Sequence, residues 1–170
     1  MTRTWNLLTS LVAVAVFVAG ALVGWNLLTA KADTEAGPTC TERNVAAGEA
    51  LTPNLVQVNV LNVSGRSGLA NRVSINLQRY GFLAGTIDNA TSEIPVDHVA
   101  IFTNDPDDPM VQLVALQFQV PPQIVAPDIP IDDKGVTVVV GPSYTDLNLT
   151  PPTEIAASRD VSVCVPLVEL

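Results

Sequence analysis

Residues 56–85 read VQVNVLNVSGRSGLANRVSINLQRYGFLAG, and this stretch decides the fold. It begins as a strand with one buried face, because every second residue is apolar: Val56, Val58 and Val60. A turn follows, in which Gly65 and Gly68 allow backbone angles that other residues resist. The stretch therefore predicts a strand that enters a helix through a glycine turn.

The helix after this turn is predicted from one apolar stripe. Its residues are spaced by four, four and three: Leu69, Val73, Leu77 and Tyr80. Ser67 is the expected N-cap, since its hydroxyl oxygen can accept from a first-turn amide. Gly81 fits the left-handed residue that ends a helix, and the next strand begins at Phe82.

The rest of the chain adds shorter elements, separated by polar turns and prolines. The predicted elements are a polar turn at Thr86–Ala90, a strand at His98–Phe102, a helix at Met110–Phe118 capped by Asp108 before Pro109, a short edge strand within Gln119–Lys134, a central strand at Val136–Val140 and a last strand at Val161–Val165. The order β-α-β-β-α-β predicts an α+β domain with two helices packed on one sheet.

The N-terminus carries a long uncharged segment at residues 5–28, bounded by Trp5 and Trp25. Twenty-four helical residues rise roughly 36 Å, enough to cross a hydrocarbon core of about 30 Å. We expect a transmembrane helix with residues 1–4 in the cytoplasm and the rest of the chain outside. The alternative is a signal peptide cleaved after Ala32, and the length of the apolar run favours the anchor. Either segment exports the domain.

Three segments follow the predicted anchor: an extracytoplasmic tether at 29–53, a domain at 54–144 and an extension at 145–170. Cys40 in the tether and Cys164 in the extension are the two cysteines of the chain. In an exported chain they are expected to form a disulfide, although unpaired thiols or intermolecular pairing are alternatives. Two cysteines and one histidine are too few for a zinc site, and no metal or cofactor is expected.

The charge of the exported part is strongly acidic. All 17 acidic residues follow Ala32, with six of the eight basic ones. The resulting net charge of −11 argues against nucleic acid or an anionic membrane surface as a partner, because both attract basic proteins.

The glycine turn also carries a family resemblance. Residues 62–70 read NVSGRSGLA and resemble the N-[GA]-[ST]-G-x-x-G-L-A signature of the LytR C-terminal domain. Further matches follow in order at Gly81-Phe82, at Asn89-Ala90 and at residues 138–144, VVVGPSY. The resemblance covers about residues 55–155. Val63 departs from it, because a small residue is usual at this position.

The resemblance implies a module of the cell envelope, of a type that in actinobacteria occurs alone behind one membrane anchor. It implies no known catalytic activity. We therefore expect a non-enzymatic module that binds cell-wall polymer. The alternative is a protein–protein module that docks on wall-assembly enzymes in the membrane.

The candidate ligand-binding residues lie in the glycine turn and on the following helix. They are Asn62, Ser64, Gly65, Arg66, Ser67, Gly68, Arg72 and Arg79. Amide groups at a helix start, together with arginines, could hold an anionic or sugar-bearing group. Purely structural alternatives exist for both features. The turn can be an ordinary connection from strand to helix, and the arginines can lie on a solvated helix face and pair with nearby acids.

The histidine and the aspartate cluster are interpreted as structural residues and not as catalytic or metal-binding ones. His98 is the only histidine, and no serine or cysteine lies in a recognisable nucleophile motif, so we expect no catalysis. The cluster of Asp105, Asp107 and Asp108 lacks the spacing of a calcium loop. It is interpreted as a loop and helix cap.

Overall fold

A computed structural model describes residues 16–22, 24–25, 40–132 and 134–166. The chain divides into two units, Met1–Gly37 and Pro38–Leu170. In the first unit, residues 16–22 and 24–25 are helical. Among the described residues, none of the helices combines the length and the apolar character needed to cross a bilayer. The predicted segment 5–28 lies largely outside this described part and stays a prediction.

The second unit contains all of the remaining described elements. In chain order they are β1 (Cys40–Val45), β2 (Ala50–Leu51), a 3-10 turn (Pro53–Leu55), β3 (Gln57–Asn62), α1 (Leu69–Arg79), β4 (Leu83–Asn89), β5 (Val99–Phe102), α2 (Pro109–Ala115), β6 (Gln123–Val125), β7 (Val136–Val140), β8 (Ile155–Ala156) and β9 (Val161–Pro166).

A five-stranded mixed sheet forms the centre of this unit, in the order β4-β3-β7-β5-β6. β3 runs parallel to both β4 and β7, whereas β5 runs antiparallel to β7 and parallel to β6. The predicted central strand is confirmed, because β7 is the middle strand and all five of its residues are buried. The predicted proline-flanked edge strand is confirmed as β6.

Both helices pack on one face of the sheet. One core cluster joins Val73 of α1 and Leu113 of α2 to sheet residues such as Val60 and Val138. A smaller cluster on the other face joins Phe102 and Val139 and is covered by partly buried loop residues: Ile94, Ile129 and Ile131. The α+β class with two helices on one sheet is confirmed.

The segment predicted as a tether, 29–53, contains ordered structure from Cys40 onward. β1 pairs antiparallel with β9, and β2 pairs antiparallel with β8. Val45 and Leu51 are fully buried. Their partner strands lie more than a hundred residues further along the chain, so the local polar composition gave no sign of them. Burial of these side chains attaches the segment to the domain.

The pairing of β1 with β9 concerns both cysteines. Cys40 lies opposite Pro166, and Cys164 lies opposite Glu42. The two cysteine positions are therefore diagonal neighbours on adjacent strands. The side chain of Cys40 lies outside the described residues, and the Cys40–Cys164 disulfide stays a prediction.

Three local predictions were wrong. The N-cap of α1 is Gly68 with φ 74°, and no side chain caps the helix, so Ser67 does not have that role. Tyr80 is 39% exposed and does not complete the buried stripe. The predicted turn at Thr86–Ala90 instead continues β4 as far as Asn89, because Asp88 and Asn89 pair with the end of β3. Polar residues are tolerated there because β4 is an exposed edge strand.

Candidate functional site

The loop between β3 and α1 is organised by one asparagine. Asn62 ends β3 and is 5% exposed. Its Nδ2 donates to the carbonyl of Arg66 and to Oδ1 of Asn89, both at 3.0 Å. Its Oδ1 accepts from the amide of Ser64 at 3.0 Å and from the hydroxyl of Ser64 at 2.6 Å. The family-signature asparagine thus fixes the loop from inside.

Gly65 and Gly68 provide the two left-handed positions of this loop, with φ 68° and 74°. Other residues pay roughly 1–2 kcal/mol for such angles. Across the first of these glycines, Ser64 Oγ accepts from the amide of Arg66 at 3.0 Å. The first amide of α1, that of Leu69, donates to the carbonyl of Arg66 at 3.4 Å. No side chain caps the first turn of the helix.

A groove of about 500 Å³ lies beside this loop, and we call it the loop groove. Its lining residues come from the loop and from the end of β4: Asn62, Val63, Gly65, Ser67, Gly68, Asn89, Ala90 and Thr91. It therefore lies at the carboxyl ends of two parallel strands. In open α/β sheets, this is the edge where ligands bind.

The three candidate arginines form no ion pair with a carboxylate among the residues that the structure describes. In the described part of the chain, the arginines that form ion pairs are Arg43 with Glu49, and Arg159 with Asp105. Arg66 instead donates to the carbonyl of Pro142 at 3.3 Å, and Arg79 donates to Oδ1 of Asn76 at 3.4 Å. The alternative in which local acids neutralise Arg66, Arg72 and Arg79 has no ion pair to support it among the described residues.

The segment after β7 lies beside α1. Burial, and then the charge of Asp146, raise the pKa of Tyr144 to about 12, whereas the charge of Arg72 lowers it. The Tyr144 hydroxyl is buried and has no hydrogen-bond partner within the described part of the chain. This tyrosine and Pro142 both lie at the carboxyl end of the predicted motif at 138–144, where Arg66 donates to Pro142 and the charge of Arg72 acts on Tyr144.

A second groove, of about 420 Å³, lies at the carboxyl end of α1, and we call it the helix-end groove. It is lined by Asn76, Arg79, Tyr80, Asp146, Leu147 and Leu149. The Tyr80 hydroxyl donates to the carbonyl of Asn148 at 3.1 Å. Tyr80 is thereby held as part of the groove wall.

The structure brings half of the predicted site residues together at one groove. Arg79 lines the helix-end groove, and four of the eight predicted residues line the loop groove: Asn62, Gly65, Ser67 and Gly68. The other three line neither of these grooves: Ser64, Arg66 and Arg72. The sequence analysis did not predict a binding role for three groove residues: Asn89, Tyr80 and Asp146. For Asn89 the signal was present, because it belongs to a matched motif. For Asp146 no local signal existed, since its position depends on the path of the chain after β7.

The only histidine does not form a serine triad. Ser143 Oγ donates to Asp97 Oδ1 at 2.8 Å, and His98 Nε2 lies 3.8 Å from the other oxygen of Asp97. The aspartate thus lies between serine and histidine, whereas in a triad the imidazole contacts the serine. His98 Nδ1 is buried without a hydrogen-bond partner among the described residues.

The acidic cluster is explained by local structure. Asp108 caps α2 by accepting from the amide of Met110 at 2.7 Å, with Pro109 at the first helical position, so the predicted cap is confirmed. Asp105 pairs with Arg159, and this hydrogen bond holds its pKa below the ordinary value. The described residues contain no group of three or more potential ligands that could hold a metal ion.

Comparison with known proteins decides the family. A family model described as LytR cell envelope-related transcriptional attenuator matches residues 55–144. This chain belongs to that family. The resemblance of the NVSGRSGLA signature is thereby confirmed. The LytR C-terminal domain thus covers β3 to the end of the segment after β7, whereas β1, β2, β8 and β9 lie outside the matched range.

No curated protein matches the chain significantly. Among solved structures, it is similar to the soluble domain of a conserved hypothetical secreted protein, an Rv2700 ortholog, from Mycobacterium marinum. The identity is 23%, the match covers 62% of this chain and 70% of that one, and the TM-score is 0.44.

Proposed function

We propose that this LytR C-terminal family member is a membrane-anchored, extracytoplasmic module of the cell envelope, and that it binds anionic cell-wall polymer without catalysis. The predicted anchor is the helix over residues 5–28, with the N-terminus in the cytoplasm. Its described residues support this assignment, because they are helical and expose large apolar side chains: Val16, Phe17, Val18, Leu22 and Trp25. The family description, which relates the domain to the cell envelope, agrees with an exported position.

One observation carries the binding proposal. Among the described residues, Arg66, Arg72 and Arg79 have no carboxylate in an ion pair, although the exported part has a net charge of −11. The exported part has 17 acidic residues for six basic ones, so its composition offers enough carboxylates to pair with every arginine. Guanidinium groups bind phosphates and carboxylates in a planar, two-pronged geometry. The loop groove is lined by Ser67 and Gly68, directly before α1. It therefore lies near the positive end of the helix dipole, which favours the same kind of ligand.

The test compares arginines with and without ion pairs. Arg66→Ala, Arg72→Ala and Arg79→Ala each remove one unpaired positive charge, whereas Arg43→Ala removes a charge that is paired with Glu49. All four variants change the net charge equally. We expect binding of the full-length protein to isolated cell walls to weaken about three- to tenfold for each of the first three variants, roughly 0.7–1.4 kcal/mol. Arg43→Ala should bind as the wild type does. Equal weakening by all four variants would contradict the proposed site.

The docking alternative is favoured by exposed apolar side chains on the domain and on the extension that follows it. They are Ile75, Tyr80, Ile87, Leu116 and Leu149, of which Leu149 is 87% exposed. A surface of this kind would bind membrane enzymes through apolar contacts and would tolerate salt. Wall-polymer binding between charged groups should weaken steeply as salt rises, because ions screen exposed charges over about 10 Å at 0.1 M. Wall binding that persists at high salt would support docking instead.

A further inference from the structure

The helix-end groove contains more kinds of side chain than the binding of an anion by arginine requires. It combines the aromatic ring of Tyr80 with the amide of Asn76, the guanidinium of Arg79 and the carboxylate of Asp146. Donors, acceptors and both signs of charge therefore meet beside one aromatic ring. We infer that this groove binds a sugar ring of an acidic glycan. The inference rests on the proposed function, because it names the substrate class of the polymer bound there.

The position of Tyr80 is the first argument. It lies directly after the last residue of α1, 39% of its surface is exposed, and it lines the groove. Its hydroxyl is held by the carbonyl of Asn148 at 3.1 Å. An aromatic ring has a negative face, which attracts the weakly positive C–H groups on the face of a sugar. A ring held at both ends loses little side-chain freedom when a ligand packs on it.

The polar groups of the groove are only partly used within the protein. Asp146 Oδ1 accepts from the amide of Leu147 at 2.8 Å, and no hydrogen bond in the described part involves Oδ2. Arg79 makes one long bond, from Nη1 to Asn76 at 3.4 Å. Sugar hydroxyls both donate and accept, so they can satisfy a carboxylate and an amide together. An apolar peptide in this groove would instead leave Arg79 and Asp146 desolvated without partners, which is costly.

The groove lies on the path of the proposed polymer. Arg72 and Arg79 are seven residues apart, which corresponds to nearly two helical turns and to roughly 10 Å along α1. They therefore share one side of the helix. A chain whose acidic group contacts Arg72 can extend along this side and place its next ring on Tyr80. Arg79 would then bind the acidic substituent of that ring, which selects acidic over neutral glycan.

The experiment measures binding of soluble wall glycan to the full-length protein in a zwitterionic detergent. The probe is the glycan released from purified cell walls by mild acid and separated by anion exchange into neutral and acidic fractions. We expect the acidic fraction to bind at least tenfold more tightly than the neutral one. Tyr80→Leu should lose at least tenfold in affinity for the acidic fraction, whereas Tyr80→Phe, which keeps the ring, should stay within about threefold.

The contradicting results separate this inference from the proposed function. If Tyr80→Leu, with an unchanged melting temperature, binds the acidic fraction as the wild type does, the sugar site is wrong. The same holds if the wild type does not bind this fraction. The proposed function is judged by the arginine variants on intact walls and can stand in either case. Arg79→Ala provides a second check, because it should reduce binding of the acidic fraction to that of the neutral one.

Discussion

The guanidinium of Arg66 donates from Nη1 to the carbonyl of Pro142 at 3.3 Å. This contact joins the loop after β3 to the segment after β7, two family-matched regions that are 76 residues apart in sequence. It satisfies one donor of a five-donor group and leaves its charge unneutralised. The hydrogen bond therefore orients the arginine and leaves its other donors available to a ligand.

Asn62 should be the most important polar residue for stability in the glycine turn. Asn62→Ala removes four hydrogen bonds at a site that is 5% exposed and leaves their partners unsatisfied. We expect a loss of about 2–3 kcal/mol in the free energy of unfolding, measured by urea denaturation. Asn71→Ala, on the exposed surface of α1, is the control and should change stability by less than about 0.5 kcal/mol. Equal midpoints for both variants would contradict the role of Asn62.

Thr137 offers the opposite test. It lies in β7, is 2% exposed, and its hydroxyl has no hydrogen-bond partner among the described residues. Thr137→Val replaces this hydroxyl by a methyl group of similar size. The variant should therefore be more stable by about 1 kcal/mol, because an unsatisfied buried polar group is removed. Thr86→Val in the exposed edge strand β4 should be close to neutral. A lower melting temperature for Thr137→Val would mean that its hydroxyl has a partner.

Acid should weaken the attachment of the turn before β9 to the loop before α2. The hydrogen bond from Arg159 holds the pKa of Asp105 below its ordinary value of 3.8. A lowered pKa in the folded state means that the contribution to stability is present above 3.8 and is lost as the pH falls through the folded-state pKa. Melting temperatures measured from pH 5 to pH 2 should therefore fall less for Asp105→Asn than for the wild type. Parallel curves would show that this ion pair does not contribute.

The predicted disulfide is tested by comparing oxidised and reduced protein. Cys40 and Cys164 occupy diagonal positions on β1 and β9, and a bridge would close a loop of about 125 residues. The chain-entropy model gives such a loop roughly 4–5 kcal/mol. Reduction should lower the melting temperature of the wild type but not that of the Cys40→Ser Cys164→Ser variant. No change in the wild type would contradict the intrachain bridge.

Local signals were sufficient for the central elements of the fold. Three patterns each lie within one continuous segment, so they can be seen without knowing the rest of the fold. They are the valine alternation of β3, the helical spacing of Leu69, Val73 and Leu77, and the continuous apolar run of β7. Asp108 before Pro109 gave the start of α2 for the same reason. Ser67 failed as a cap because Gly68, with its positive φ, takes the position at which a side chain would cap the helix.

Long-range pairing accounts for what the sequence could not predict. β1 contains few apolar residues and β2 is only two residues long. They are ordered because β9 and β8 pair with them from the other end of the chain. The helix-end groove has the same origin, since Asp146 and Leu149 reach α1 only through the path taken after β7. The sequence shows that polar and aromatic residues are present, but it does not show that the fold brings these particular ones together in one groove.

The central claim is that unpaired arginines of this domain bind anionic wall polymer. Its most direct test is co-sedimentation of the full-length protein with purified cell walls, before and after chemical removal of their anionic polymers. We predict that the wild type binds intact walls, loses binding to stripped walls, and loses it equally when Arg66, Arg72 and Arg79 are replaced together by alanine. Undiminished binding to stripped walls, or undiminished binding by the triple variant, would contradict the claim.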